Sequence, residues 1–256
     1  YKETVRISDA VNRVLSRARA LDETRQEFVS NVAHELKTPA ASIHGYLESI
    51  LDNPDMPEDK KKHFLERCYA QSERMNKLLF DMSTLTKLDE MDNNISKPNY
   101  EYRHVNVLQI MQNALDDTAL QLQEKGITPS LNVPQHIEVQ GDASLIYSIF
   151  RNLIDNAIAY ATGATCLKIA CSEVENEGRH FYEFTISDNG QGIEPQHLDH
   201  IFERFYRVDK GRSRKLGGTG LGLAIVKNAV AVHGGTTTAQ LTPGGGLTIR
   251  FTLARF

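Results

Sequence analysis

The chain has 256 residues, 40% of them apolar, and a formal net charge of -4, which is enough apolar material for a real core in one to three domains. That balance excludes a broad basic field for nucleic acid or anionic lipid, so no nucleic-acid partner is expected. Cys68, Cys166 and Cys171 lack paired metal-ligand spacing and fit reduced thiols in a cytoplasmic setting, and neither a signal peptide nor a run of about 18 apolar residues occurs.

The sequence starts without Met and inside a helical pattern, as expected of a fragment of a longer protein. Ile7, Val14, Leu21 and Phe28 recur every seven residues, while the alternate seam positions Ala10, Arg17, Thr24 and Asn31 are small or polar. The weak seam predicts a dimeric coiled-coil lead-in over 1–26, with a single surface helix as the alternative.

In and around the stretch Ser30 to Pro39, Phe28, Val32, Leu36, Ile43 and Leu47 fall at helical intervals, so one face packs and His34 faces solvent. Imidazole attacks phosphorus through one nitrogen when the other carries the proton, and Glu35 is suited to hold that tautomer and accept the proton. Thr38, four residues on, shares the His34 face and can orient a water there. Pro39 removes an amide from the Glu35 carbonyl and predicts a bend. Asp52 to Glu58, with two prolines, ends the helix. From Lys60 to about Leu88 a second helical pattern, including Met75, Leu78, Leu79 and Met82 as bundle core, predicts an antiparallel hairpin, two of which close a four-helix bundle. The polar stretch Asp89 to Pro98 marks a boundary between a domain at 27–93 and another at 94–256.

Beyond it, helices are expected at 107–125, 142–160 and 219–232. Strands are expected near 129–133, 137–140, 165–174, 181–188, 236–241 and 246–253, giving a two-layer α/β sandwich. Asn152 and Asn156 lie on one helical face, where an amide oxygen of Asn156 suits the octahedral oxygen shell of Mg²⁺. Phe184 to Ile193 reads as a strand ending in Asp188, Gly190 and Gly192; a buried carboxylate there can accept an adenine amino hydrogen while glycines admit a flat ring. Gly217 to Leu223, containing Gly218, Thr219, Gly220, Leu221 and Gly222, opens a helix whose free amides suit phosphate. The three signals in this order point to an ATP site.

With these motifs the sequence resembles the cytoplasmic catalytic core of a bacterial two-component sensor histidine kinase, from about Glu27 to the end. His34 falls on the H box, Asn152 and Asn156 on the N box, and Asp188 to Gly192 on the first glycine box. Phe202 to Arg207 resembles the F box and Gly218 to Gly222 the second glycine box. The resemblance implies a helical dimerisation and histidine-phosphotransfer domain, then a Bergerat-type ATP-binding domain with a lid between the F box and second glycine box. It further implies Arg204 and Arg207 at phosphate, Tyr160 in the nucleotide pocket, a homodimer, a response-regulator receiver domain as partner, and Thr38 as a position tied to regulator dephosphorylation. The natural address it implies is the inner face of a bacterial membrane, reached through segments outside this chain.

Ala159 and Ala161 stand where family N boxes usually carry Lys and Ser or Thr, so the lid cations Lys210, Arg212, Arg214 or Lys215 are expected to compensate. His197 and His200 have helical metal-pair spacing but no third ligand, and His44, His63, His104, His136, His180 and His233 read as surface or packing residues. Two alternatives are an ATP-driven clamp on the same fold without phosphotransfer, and a catalytically silent dimeric scaffold.

Overall fold

The computed structural model describes residues 2–93, 103–176, 178–209, 211 and 218–255, with side chains in the first helix described from Gln26 and in the second up to Met91. The side chains of Ile7, Val14 and Leu21, the segment 94–102 and Lys210, Arg212, Arg214 and Lys215 lie outside it. The chain forms two compact units, Tyr1–Lys77 and Leu78–Phe256.

In the first unit, helix α1 (Lys2–Leu51) runs unbroken through Pro39. Hydroxyls return hydrogen bonds to the same helix around the proline, Thr38 to the His34 carbonyl at 3.3 Å and Ser42 to the Thr38 carbonyl at 3.0 Å. The turn at 52–57 hands over to α2 (Glu58–Asn93), whose first turn carries Glu58 and Asp59 against the helix dipole. The two helices pair in opposite directions, as predicted: the Tyr46 ring lies tilted against Phe64 with centroids 5.2 Å apart, and Glu35 meets Arg74.

In the second unit, the later turns of α2 bury Leu78, Leu85 and Leu88, and Leu79 is half exposed in the single chain. Strand β1 (Arg103–Asn106), too short for its period to show in sequence, pairs antiparallel with β3 (Glu138–Gly141). The helix expected at 107–125 divides into α3 (Val107–Asp116) and α4 (Ala119–Glu124). The break sits at buried Thr118, whose hydroxyl donates to the carbonyls of Ala114 and Leu115. Strand β2 (Thr128–Asn132), helix α5 (Ala143–Tyr160), strands β4 (Cys166–Asn176) and β5 (Arg179–Asp188), helix α6 (Gly222–Val232), and strands β6 (Thr237–Leu241) and β7 (Leu247–Ala254) complete it. The main sheet has the order β2-β4-β5-β7-β6, with β2 parallel to β4 and the other pairs antiparallel.

Alternating residues of β4, β5 and β7 (Leu167, Ile169, Phe184, Ile186, Ile249, Phe251) and one face of α5 (Leu145, Ile149, Phe150, Leu153) are buried. At the centre Phe184 and Phe251, cross-strand partners, stack at 5.0 Å, and Phe150 of α5 meets both edge-on. Each such burial contributes about 1.5–3 kcal/mol. That core fixes α5 and so aims its opposite, polar side.

Candidate functional site

Each unit carries one group of the expected residues. In the first, His34 is exposed on α1 and shares a shallow groove with Lys37, Thr38, Ala41 and Ser42. Glu35 is turned across the hairpin: its Oε2 accepts from a guanidinium nitrogen of Arg74 at 2.8 Å, both side chains about nine-tenths buried. Arg74 did not stand out in the sequence because its role depends on a residue 39 positions away. The Thr38 hydroxyl donates to the His34 carbonyl at 3.3 Å.

In the second unit, α5 begins at Asp142, whose Oδ1 caps the amides of Ser144 and Leu145 and whose Oδ2 accepts from Lys87 of α2 at 2.7 Å. Burial opposes its charge, but hydrogen bonds from Lys87, Ser144 and Leu145 prevail and hold the carboxyl down at about 2. The amide of Asp142 donates to Nε2 of buried His233, whose Nδ1–H donates to the Ala229 carbonyl. This neutral ring joins the end of α6 to the start of α5, and burial lowers its pKa despite the Ala229 bond and the nearby Asp142 charge.

Further along α5, Asn152 donates to the Ser148 carbonyl at 2.8 Å, and its Oδ1 would lie 2.7 Å from a Cβ at Gly222. Glycine at 222 therefore lets α6 start against α5. Asn156, one turn on, is half-buried and makes no side-chain hydrogen bond among the described residues. Tyr160 ends the helix, also half-buried.

The loop after β5 closes on the end of α5. A Cβ at Gly190 would lie 2.8 Å from the Ala161 carbonyl carbon, and one at Gly192 (φ +69°) 2.8 Å from the Gly246 carbonyl oxygen. Asp188 accepts from the amides of Gly190 at 2.9 Å and Leu247 at 3.3 Å. Burial nevertheless raises its pKa. Asn189 ties the loop to β4 through the amides of Thr165 and Cys166. Gly246 belongs here too: its Cβ would strike the Asp188 carbonyl. Its signal is the run Pro243 to Gly246, of which the expected strand at 246–253 takes in only Gly246.

The second glycine segment lies against the F-box turn. Gly220 (φ +75°) faces the Phe205 backbone, Phe205 N donates to Gly220 O at 2.8 Å, and Arg207 donates to Gly218 O at 2.8 Å. Left-handed Gly220 is also why the helix expected from Thr219 begins at Gly222. Thr219 donates to buried Asp81 at 2.7 Å, and Arg204 pairs with Asp89. Asp81 went unread because it lies 138 residues from Thr219.

Nδ1 of His197 bonds Tyr206 and Nδ1 of His200 bonds Glu203. Among the described residues no three His, Cys, Asp or Glu side chains converge on a metal position. No described helix is long and apolar enough to cross a membrane. The three cysteines are unbridged, and burial, then the Glu173 charge, pushes the Cys171 thiol up to about 12.

Residues 24–90 match the His Kinase A (phospho-acceptor) domain, and residues 141–255 match the histidine kinase-, DNA gyrase B-, and HSP90-like ATPase family. The sensor histidine kinase WalK of Bacillus subtilis (strain 168) is 35% identical over 236 residues, covering 91% of this chain and 37% of WalK. The sensor-like histidine kinase SenX3 of Mycolicibacterium smegmatis is 34% identical over 236 residues, 92% of this chain and 59% of SenX3. The chain thus spans between about two-fifths and three-fifths of these relatives. Among solved structures, the Acinetobacter baumannii histidine kinase AdeS has a TM-score of 0.65 at 26% identity, covering 86% of this chain and 97% of that one. With a phospho-acceptor hairpin followed by an ATPase-type α/β unit, the chain belongs to the two-component sensor histidine kinases, of which it represents the catalytic core.

Proposed function

We propose that the chain is an ATP-dependent histidine autokinase that phosphorylates His34 and passes the phosphoryl group to an Asp of a response regulator, with phosphatase activity toward that regulator. The observation that carries the reading is an exposed imidazole followed by a carboxylate on one unit, joined covalently to a second unit whose glycine loops converge around α5. Close packing of the loops around α5 supports a nucleotide site there: a Cβ at Gly190, Gly192, Gly220 or Gly222 would collide with neighbouring protein atoms. Asp188 offers carboxylate oxygens to an adenine amino group, and Asn156 has an amide oxygen available for Mg²⁺. Held there, the metal would supply positive charge that neutralises phosphate oxygens.

When the units come together, a His34 ring nitrogen attacks the γ-phosphorus as the bond to the β-phosphate oxygen breaks and ADP leaves. Glu35 takes the proton from the other nitrogen. The protein contributes mainly positioning and charge neutralisation. Arg204, Arg207 and the lid cations Lys210, Arg212, Arg214 and Lys215 supply charge in place of the side chain lacking at Ala159; replacing the four lid residues by Ala should raise KM for ATP.

The domain division 1–26, 27–93 and 94–256 goes with this reading. So does a homodimer, supported by Val29, Leu47, Leu65 and Tyr69, which are 42–70% exposed on the hairpin. The groove beside His34 would receive the regulator, and the natural position is the inner face of a bacterial membrane. Incubation with γ-labelled ATP tests the reading: acid-labile, base-stable label on His34 supports it, phosphate release alone indicates a clamp, and neither indicates a scaffold.

A further inference from the structure

We propose that Arg74 is a positioning residue for the phospho-acceptor site, keeping Glu35 charged and aimed; this rests on the autokinase reading above. The two side chains meet at 2.8 Å and are only 10% and 11% exposed. They are 39 residues apart in sequence, so the pair exists only in the hairpin register that also brings Tyr46 to Phe64.

Consecutive helical residues point about 100° apart. Glu35 therefore does not meet the His34 ring by helix geometry alone, and something must set its direction. The planar fork of Arg74 does so from the opposite helix. It also supplies charge. A carboxylate so deeply covered takes up a proton unless a cation faces it, and a protonated Glu35 cannot accept the proton that phosphorylation releases. Of the described residues nearest the pair in sequence, His34 and Lys37 on α1 and Glu73 and Lys77 on α2 are titratable, and all four are exposed. None shares the burial of Arg74. The pair thereby ties the base of the reaction to the register of the two helices.

The test uses the whole chain, measuring autophosphorylation against pH alongside the ¹³C titration of the Glu35 carboxyl. Arg74→Gln should lower kcat at least ~10-fold with KM for ATP unchanged. It should also move both the acid limb of the pH profile and the Glu35 midpoint upward by about one unit or more. Arg74→Lys should restore part of each, and Arg74→Gln added to Glu35→Gln should cost no further activity. If Arg74→Gln folds poorly, the Glu35→Gln/Arg74→Gln protein should melt higher than the single variant, because it buries no unpaired charge. An unmoved Glu35 midpoint, or a pH profile superimposable on wild type, overturns the proposal. A wild-type chain that takes no label overturns the autokinase reading instead, and the carboxyl titration still decides whether Arg74 holds the Glu35 charge.

Discussion

The hydroxyl of Thr219 donates to the carboxylate of Asp81 at 2.7 Å, and both side chains are buried. Thr219 also accepts from the amide of Leu221 at 3.2 Å, so the carboxylate anchors the turn in which α6 begins. Asp81→Ala should lower stability by about 1–3 kcal/mol, the cost of leaving a buried donor without its acceptor, and weaken nucleotide binding through the same turn. Asp81→Asn, which keeps an acceptor, should recover part of both. Thermal melts and nucleotide titration check this; equal melting of wild type and the Ala variant would show that Thr219 finds another partner.

Gly246 lies against the Asp188 backbone at φ +105°, with no room for a Cβ. Gly246→Ala should force the β6–β7 turn away from Asp188, at a cost of about 1–3 kcal/mol from backbone strain alone. Nucleotide affinity should drop even in protein that stays folded. Gly163→Ala is the control: φ there is +76° but nothing lies near the added carbon, so it carries strain without displacing the pocket.

Acid should destabilise the second unit in two stages. His233 is held below its ordinary 6.5 mainly by burial, so the unfolded chain binds its proton more readily and stability falls as pH drops below 6.5. Asp142 is held at about 2 against an ordinary 3.8. Its contribution is complete above 3.8 and is lost between 3.8 and about 2. Urea unfolding at stepped pH gives the slopes; Lys87→Ala should shrink the lower stage and leave the upper one in place.

Thr38→Ala should spare autophosphorylation and reduce regulator dephosphorylation. The hydroxyl bonds the His34 carbonyl rather than the ring, so its loss leaves the nucleophile in place while removing the group proposed to orient water. Paired assays of label uptake and label removal from the regulator distinguish the two. Equal loss in both would make Thr38 a support for the helix.

Much of the chemistry was legible from residue order, because an Asp-Asn-Gly-Gln-Gly turn after a strand, paired asparagines on a helix and a glycine run before a helix are local patterns. So were the hairpin and the two-layer sandwich, since periods of 3.6 and 2 are written within single elements. What pairs across long separations was not. The break at Thr118 depends on a hydroxyl competing for helix carbonyls, and the late start of α6 on Gly220 lying against Phe205. Likewise Arg74 becomes the partner of Glu35, Asp81 of Thr219 and His233 of Asp142 only once the chain has folded. Residue types and spacing determined which groups are candidates for the chemistry; the tertiary structure decided their direction and charge, because burial and counter-charge come from residues distant in sequence.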